Sequence, residues 1–65
     1  MVLIVNGDEK DVSARTVPDL LAELGYEGNF FAVAVNHAFV PRRQWSERRL
    51  KDGDQIEIVT PRQGG

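Results

Sequence analysis

Cysteine is absent from the 65-residue chain, and its absence removes several kinds of chemistry at once. Without a thiol the chain can form no disulfide, no thiolate metal site and no cysteine nucleophile. Histidine occurs once, at His37, with no carboxylate at metal-ligand spacing from it. A lone imidazole in a polar turn is usually a surface residue, because a metal site or a general base needs partners. We therefore expect no bound metal and no histidine-based catalysis.

Long apolar runs are missing too. The first five residues, Met1 to Val5, are apolar, but a membrane span needs roughly 20 such residues. The run is also too short for a signal peptide. These absences predict a cytoplasmic protein that does not insert into a membrane.

A strong excess of one charge is lacking as well, since the formal net charge is −2. Residues 1–40 nevertheless hold six acidic and two basic side chains, whereas residues 41–65 hold four acidic and six basic ones. A nucleic-acid-binding domain is expected to be strongly basic, which this chain is not. The basic stretch around Trp45 is therefore interpreted as a solvated face or a surface for a protein partner.

Catalytic residue sets and a glycine-rich phosphate loop are absent. The glycines before the C-terminal pair are scattered at turn positions, and no Ser-His-Asp set or carboxylate pair is evident. A domain of this size buries only about 60% of the surface of its unfolded chain, which leaves little room for an internal cleft. We expect a protein that acts with partner enzymes and is not itself an enzyme.

The first half of the chain predicts two strands and a helix. An apolar strand, Met1 to Val5, ends at Asn6-Gly7, the dipeptide favoured in the type I′ turn of a hairpin. The return strand, at about 9–13, is polar and is expected at a sheet edge. A helix follows, with Thr16 and Asp19 as a capping box and Gly25 in a left-handed C-terminal position. Its apolar stripe has the i, i+3, i+4, i+7 spacing and consists of Val17, Leu20, Leu21 and Leu24.

The second half predicts three more strands. The apolar run from Phe30 to Val35 is typical of a strand in mid-sheet, and a turn at Asn36-His37 leads to a strand at 38–40. In the irregular segment 42–51, Trp45 and Leu50 are expected in the core. The last strand is expected at 55–59, with Ile56 and Ile58 pointing inward.

The predicted fold class is α+β, with one main helix across one face of a mixed four- to five-stranded sheet. The right-handed rule for strand–helix–strand crossovers makes the first and last strands plausible central neighbours. Residues 1–60 would form this domain. Residues 61–65 would be a flexible tail.

The tail ends in Gly64-Gly65, after Pro61, Arg62 and Gln63. Without side chains, two glycines can thread into a narrow active site and present a terminal carboxylate, although frayed chain ends are also common. A carboxylate becomes a good electrophile once ATP converts it to an acyl-adenylate. Attack by a sulfur donor would then leave a thiocarboxylate, and attack by a lysine an isopeptide bond. Both routes require a separate ATP-using enzyme.

At this point the chain resembles the ThiS family, the sulfur carriers of thiamine biosynthesis within the β-grasp, ubiquitin-like group. The likeness covers the entire chain in order and ends at the final Gly64-Gly65. Its other motifs, in chain order, are Val5-Asn6-Gly7, Leu20-Leu21-x-x-Leu24-Gly25, Ala32-Val33-Ala34-Val35-Asn36, Val40-Pro41-Arg42, Trp45 and Leu50-x-Asp52-Gly53-Asp54-x-Ile56-Glu57-Ile58-Val59.

The resemblance implies a β-grasp fold and a reaction at Gly65. A ThiF-type enzyme would adenylate the Gly65 carboxylate with ATP, with no cofactor bound to the carrier itself. Sulfur from a donor such as a cysteine desulfurase would form the thiocarboxylate, which a ThiG-type thiazole synthase would use. By analogy, the partner's channel would receive Pro61, Arg62, Gln63 and Gly64. An apolar patch on the sheet would dock outside the channel, with Phe31, Val33 and Ile58 as candidates that could equally belong to the core.

Two related alternatives share the Gly-Gly chemistry. One is a MoaD-type carrier for molybdenum cofactor synthesis, although members of that group tend to be longer. The other is a ubiquitin-like modifier whose tail is joined to a lysine of a target protein.

Overall fold

The computed structural model describes residues 1–26 and 30–60, which form five strands and one α-helix. The predicted order of elements is confirmed. In chain order these are β1 (Val2–Val5), β2 (Asp8–Asp11), α1 (Val17–Glu23), β3 (Ala32–Val35), β4 (Ala38–Val40), a 3₁₀ turn (Arg42–Gln44) and β5 (Gln55–Val59).

The strands form one sheet in the order β2-β1-β5-β3-β4. Strands β1 and β5 are parallel neighbours, and the other neighbouring pairs are antiparallel. The first and last strands of the sequence therefore lie side by side at the centre of the sheet, as the crossover rule indicated. The outermost strand β2 is exposed at all four positions, which confirms it as an edge.

Alternating side chains divide the sheet into a covered and an open face. In β5, Ile56 and Ile58 are buried, whereas the residues on either side of them are exposed. The covered face packs against α1 and the segment after β4, so that one core serves the whole domain. The core consists of Leu3, Val5, Val12, Ala14, Val17, Leu20, Leu21, Val33, Val35, Val40, Trp45, Leu50, Ile56 and Ile58.

Helix α1 begins where the sequence indicates, but a different contact secures it. The N-cap residue Thr16 has an extended backbone and makes no side-chain capping bond, so the predicted capping box is wrong. Thr16 instead forms an isolated β-bridge with Arg49, which holds its backbone in place. At the other end, Glu23 accepts hydrogen bonds from the backbone N–H groups of Ser13 and Ala14, at 2.9–3.1 Å. These bonds tie the segment before the helix to the end of the helix.

The C-terminus of α1 follows the prediction. Gly25 has φ +85, the left-handed conformation that glycine adopts without a Cβ penalty. Tyr26 N–H donates to Leu21 O at 2.8 Å and Gly25 N–H to Ala22 O at 3.2 Å. This pair of bonds is the Schellman motif, which satisfies the carbonyls at the end of a helix.

The bounds of the first three strands differ from the sequence-based expectation, since β1 begins at Val2, β2 runs from Asp8 to Asp11 and β3 begins at Ala32. Strand β2 starts at Asp8, because the two-residue turn at Asn6-Gly7 pairs Val5 directly with Asp8. Strand β3 starts at Ala32, which is where pairing with Val59 of β5 begins. Apolar character alone had extended β3 back to Phe30, but Phe30 is 78% exposed.

Leu21→Asp is expected to unfold the domain. Leu21 is 6% exposed, and an unpaired charge at a buried site costs about 3–5 kcal/mol, comparable with the whole stability of a domain this small. The matched control is Ala22→Asp on the exposed side of the same helix, with an expected loss of about 1 kcal/mol or less. Thermal and urea unfolding of the two variants measure the difference. Equal decreases in the free energy of unfolding of the two variants would contradict the assignment of Leu21 to the core.

Candidate functional site at the end of strand β5

The predicted site of modification, Gly65, and the residues predicted to enter the partner's channel, Pro61, Arg62, Gln63 and Gly64, lie outside the described residues. The described chain ends at Thr60, one residue after β5. The candidate site that the structure describes is therefore the end of β5 together with the surfaces beside it. Because β5 lies between β1 and β3, a central strand leads directly to the tail.

Asn6 holds the end of β5 on the β1 side. It is the first residue of the β1–β2 turn and has φ 51, a conformation that asparagine tolerates better than most residues. Its backbone N–H donates to Ile56 O at 2.9 Å. Its side-chain amide then makes two bonds with the backbone of Ile58, accepting from N–H at 2.9 Å and donating to C=O at 3.2 Å. The amide thus takes the place of a further residue of β1.

Asn36 makes an analogous contact on the β3 side, at the start of β5. It is the first residue of the β3–β4 turn and has φ 52. Its backbone N–H donates to Gln55 O at 2.7 Å, and its side-chain oxygen accepts from Gln55 N–H at 2.9 Å. Its side-chain nitrogen donates to the buried carboxylate of Asp54 at 3.0 Å. The two hairpin turns therefore hold opposite ends of β5 through asparagine side chains.

An apolar area on the open face of the sheet lies next to the end of β5. Val59 pairs with Ala32, and Ala34 pairs with Phe39, so the four side chains lie on one face of three adjacent strands. Phe39 is 67% exposed and Val59 is 59% exposed, large fractions for apolar side chains. We call Ala32, Ala34, Phe39 and Val59 the open-face patch.

The sequence left the three docking candidates open between surface and core, and the structure places two of them in the core. Val33 and Ile58 are 1% and 5% exposed and belong to the core on the covered face. Phe31 is half-buried and packs edge-to-face against Tyr26, with ring centroids 5.4 Å apart. Successive strand residues point to opposite faces, so the exposed positions are displaced by one residue from those predicted. The alternation of alanine with valine in β3 was the signal that could have identified the exposed positions, because the larger valines face the core and the alanines face outward.

The basic stretch lies in the segment that connects β4 to β5. Trp45 is buried, and its Nε1–H donates to Val40 O at 3.0 Å. The Arg42 guanidinium stands 5.9 Å from the centre of the Trp45 ring. A buried indole cannot stack on a nucleic-acid base, so this tryptophan functions in the core, as the sequence indicated.

Other kinds of site receive no support from the described residues. Within residues 1–26 and 30–60, no group of three or more His, Cys, Asp or Glu side chains could hold a metal ion. His37 is an exposed residue of the β3–β4 turn. No helix in this part of the chain is long and apolar enough to cross a membrane.

Residues 3–65 match the ThiS family. The sulfur carrier protein ThiS of Escherichia coli (strain K12) is 35% identical over 66 residues, and the alignment covers 100% of both chains. The protein of that name from Thermus thermophilus is 33% identical over 61 residues, which cover 94% of this chain and 95% of the relative.

Two further similarities concern an enzyme and a solved structure. A thiazole synthase from Paramagnetospirillum magneticum is 41% identical over 66 residues, and this chain spans only 20% of the length of that protein. The crystal structure of the thiamine biosynthesis protein ThiS from Geobacter metallireducens superposes with a TM-score of 0.85 at 29% identity, covering 100% of both chains.

The family match reaches the last residue, and two carriers align over almost their full lengths. The chain therefore belongs to the ThiS family, the β-grasp sulfur carrier proteins of thiamine biosynthesis.

Proposed function

We propose that the chain carries sulfur as a thiocarboxylate on Gly65. The observation that supports this most directly is that the family match extends through Gly64 and Gly65 to the end of the chain. The absence of cysteine adds to it, because no persulfide can form on this chain. The terminal carboxylate is then the group left to hold a sulfur atom.

The reaction proceeds in two stages on a partner enzyme. Attack of the Gly65 carboxylate on the α-phosphorus of ATP forms an acyl-adenylate and releases pyrophosphate. A sulfur nucleophile then adds to the carbonyl carbon and the bond to AMP breaks. When the nucleophile is a persulfide, the product is an acyl disulfide, and a second thiol cleaves its S–S bond to leave the thiocarboxylate and a disulfide. ATP is bound and consumed by a ThiF-type adenylating enzyme, and a donor such as a cysteine desulfurase supplies the sulfur. The carrier contributes its carboxylate and its recognition surface.

The length of the tail limits where the partner can bind. Five residues lie beyond Thr60, and an extended chain spans at most about 3.6 Å per residue, which gives a reach of about 18 Å. The partner's active site must lie within that distance of the end of β5. A docking surface beside β5 is therefore required, and the open-face patch is in that position because it includes Val59.

A ThiG-type thiazole synthase is the proposed acceptor of the sulfur. In the Paramagnetospirillum magneticum thiazole synthase, a region similar to this whole chain is part of a much longer polypeptide. Covalent linkage keeps a carrier at high effective concentration near its enzyme, which is useful when the two act together. That arrangement supports a thiazole synthase as a partner of this chain.

Deletion of Gly65 is expected to abolish ATP-dependent activation while leaving the fold intact, because the tail follows the last strand. Replacing Gly64 with tryptophan is expected to have the same effect, since a bulky side chain blocks a narrow channel. Pyrophosphate release with a ThiF-type enzyme measures activation, and the melting temperature serves as the folding control. Undiminished activation of the deletion variant would refute Gly65 as the reactive residue.

Mass spectrometry of the chain isolated from its own cells provides a direct test of the cargo. The expected species carries one sulfur in place of one oxygen, located at Gly65. Recovery of the chain joined to lysines of other proteins would instead support a protein modifier.

Loss of the large side chains of the open-face patch is expected to weaken docking. Phe39→Ser and Val59→Ser should each raise KM for the adenylating enzyme about tenfold, as when an apolar anchor is lost from an interface. The melting temperature should change little, because both side chains are exposed. Val2→Ser, on the same face beside the turn that precedes β5, is the control and should leave KM unchanged. Equal KM values for all three variants would place the docking surface elsewhere.

A further inference from the structure

We propose that Asn6 is a positioning residue that sets the direction in which the tail leaves the domain, an inference that rests on the proposed function. The side-chain amide of Asn6 pairs with both backbone groups of Ile58, two residues before Thr60. Asn6 is assigned no part in the chemistry at the carboxylate. Its effect on activation would operate through the end of β5.

The parallel pairing of β1 and β5 explains why a side chain is needed at this point. The strands are paired through Ile4 with Gln55 and Val5 with Ile56, and the Asn6 N–H reaches Ile56 O. The chain then turns at Asn6-Gly7 and returns as β2, so β1 offers no further backbone to Ile58. The carboxamide supplies one acceptor and one donor, the two groups that an additional strand residue would have offered.

The β3 side shows what this contact adds. There, Val59 is paired with Ala32, so one edge of β5 is held by backbone up to its last residue. On the β1 edge, the amide is what holds Ile58. The end of β5 is thus held on both edges, at Ile58 on the β1 side and at Val59 on the β3 side. Without the amide, the end of β5 is attached only on the β3 edge and can move relative to the rest of the sheet.

Asparagine meets both requirements of position 6, a positive φ and a side chain that can donate to and accept from the backbone of Ile58. The first residue of the turn requires positive φ, which glycine, asparagine and aspartate tolerate. Glycine has no side chain to pair with Ile58. Aspartate keeps an acceptor for the Ile58 N–H but places a carboxylate oxygen against the Ile58 carbonyl. These two substitutions therefore separate the requirement for the turn from the requirement for the amide.

Asn36 provides a matched control within the same strand. It has the same residue type, a similar positive φ and a side-chain bond to the backbone of β5, but it acts at Gln55, at the opposite end from the tail. Asn36→Gly removes an equivalent contact and should lower stability at least as much as Asn6→Gly. A purely structural role predicts that both variants affect activation equally.

The first experiment compares steady-state activation of Asn6→Gly, Asn6→Asp and Asn36→Gly by a ThiF-type enzyme with ATP, at a temperature where all are folded. For Asn6→Gly, kcat should fall about tenfold with KM within about twofold, because docking persists while the reacting group is misplaced. The kcat of Asn6→Asp should lie between those of Asn6→Gly and the wild-type chain. The kcat of Asn36→Gly should equal that of the wild-type chain. Equal kcat values for the two glycine variants would overturn the proposal.

Amide hydrogen exchange tests the same proposal without any partner. In Asn6→Gly, exchange at Ile58 N–H should accelerate relative to wild type, while exchange at Gln55 stays unchanged. In Asn36→Gly the pattern should reverse. Unaltered protection of Ile58 in Asn6→Gly would refute the positioning role. If the wild-type chain gave no pyrophosphate release, that result would count against the proposed function. The exchange rate at Ile58 would still test whether Asn6 holds the end of β5.

Discussion

Hydrogen bonding along both edges of β5 is the interaction on which the rest of the domain depends. Without β5, the sheet would separate into two hairpins, β1–β2 and β3–β4, and isolated two-stranded hairpins are marginally stable at best. The same strand contributes Ile56 and Ile58 to the centre of the core, where they meet side chains from both hairpins and from α1. Its pairing thus joins the two halves of the chain into one folding unit. The asparagine contacts at its two ends complete this pairing where the neighbouring strands turn away.

This arrangement links stability to function within a very small protein. The strand that completes the sheet is also the strand that precedes the tail, so the tail follows a strand that is paired on both edges. A site on an edge strand would start from a less constrained position. One face of β5 serves the core and the other contributes Val59 to the open-face patch. The five residues of β5 therefore contribute to the core and to the open-face patch, and they lead to the tail.

Features encoded by local pattern could be predicted from the sequence. The turns at Asn6-Gly7 and Asn36-His37, the helix stripe and the alternation in β5 are short-range signals, and each was confirmed. The capping of α1 was predicted wrongly because a bridge between Thr16 and Arg49 replaces a local bond. The contacts of Asn6 with Ile58 join residues 52 positions apart, which no periodicity reveals. The docking candidates could not be told from core residues in the sequence, because apolar character does not tell which face of a strand is covered. That residues 61–65 form a tail modified at Gly65 remains a prediction, since these residues lie outside the described structure.

The central position of the last strand has a further consequence for how the chain is made. The ribosome completes β5 after every strand that it joins, and contacts between distant parts of a sequence form slowly in folding. The residues of both hairpins are therefore synthesised before the strand that unites them. A chain truncated within β5 lacks the central strand of its sheet. Two hairpins remain, and isolated hairpins are marginally stable at best. Incomplete copies would thus be left to the proteases of the cell. The domain that survives to meet a partner is one that was synthesised at least through its final strand.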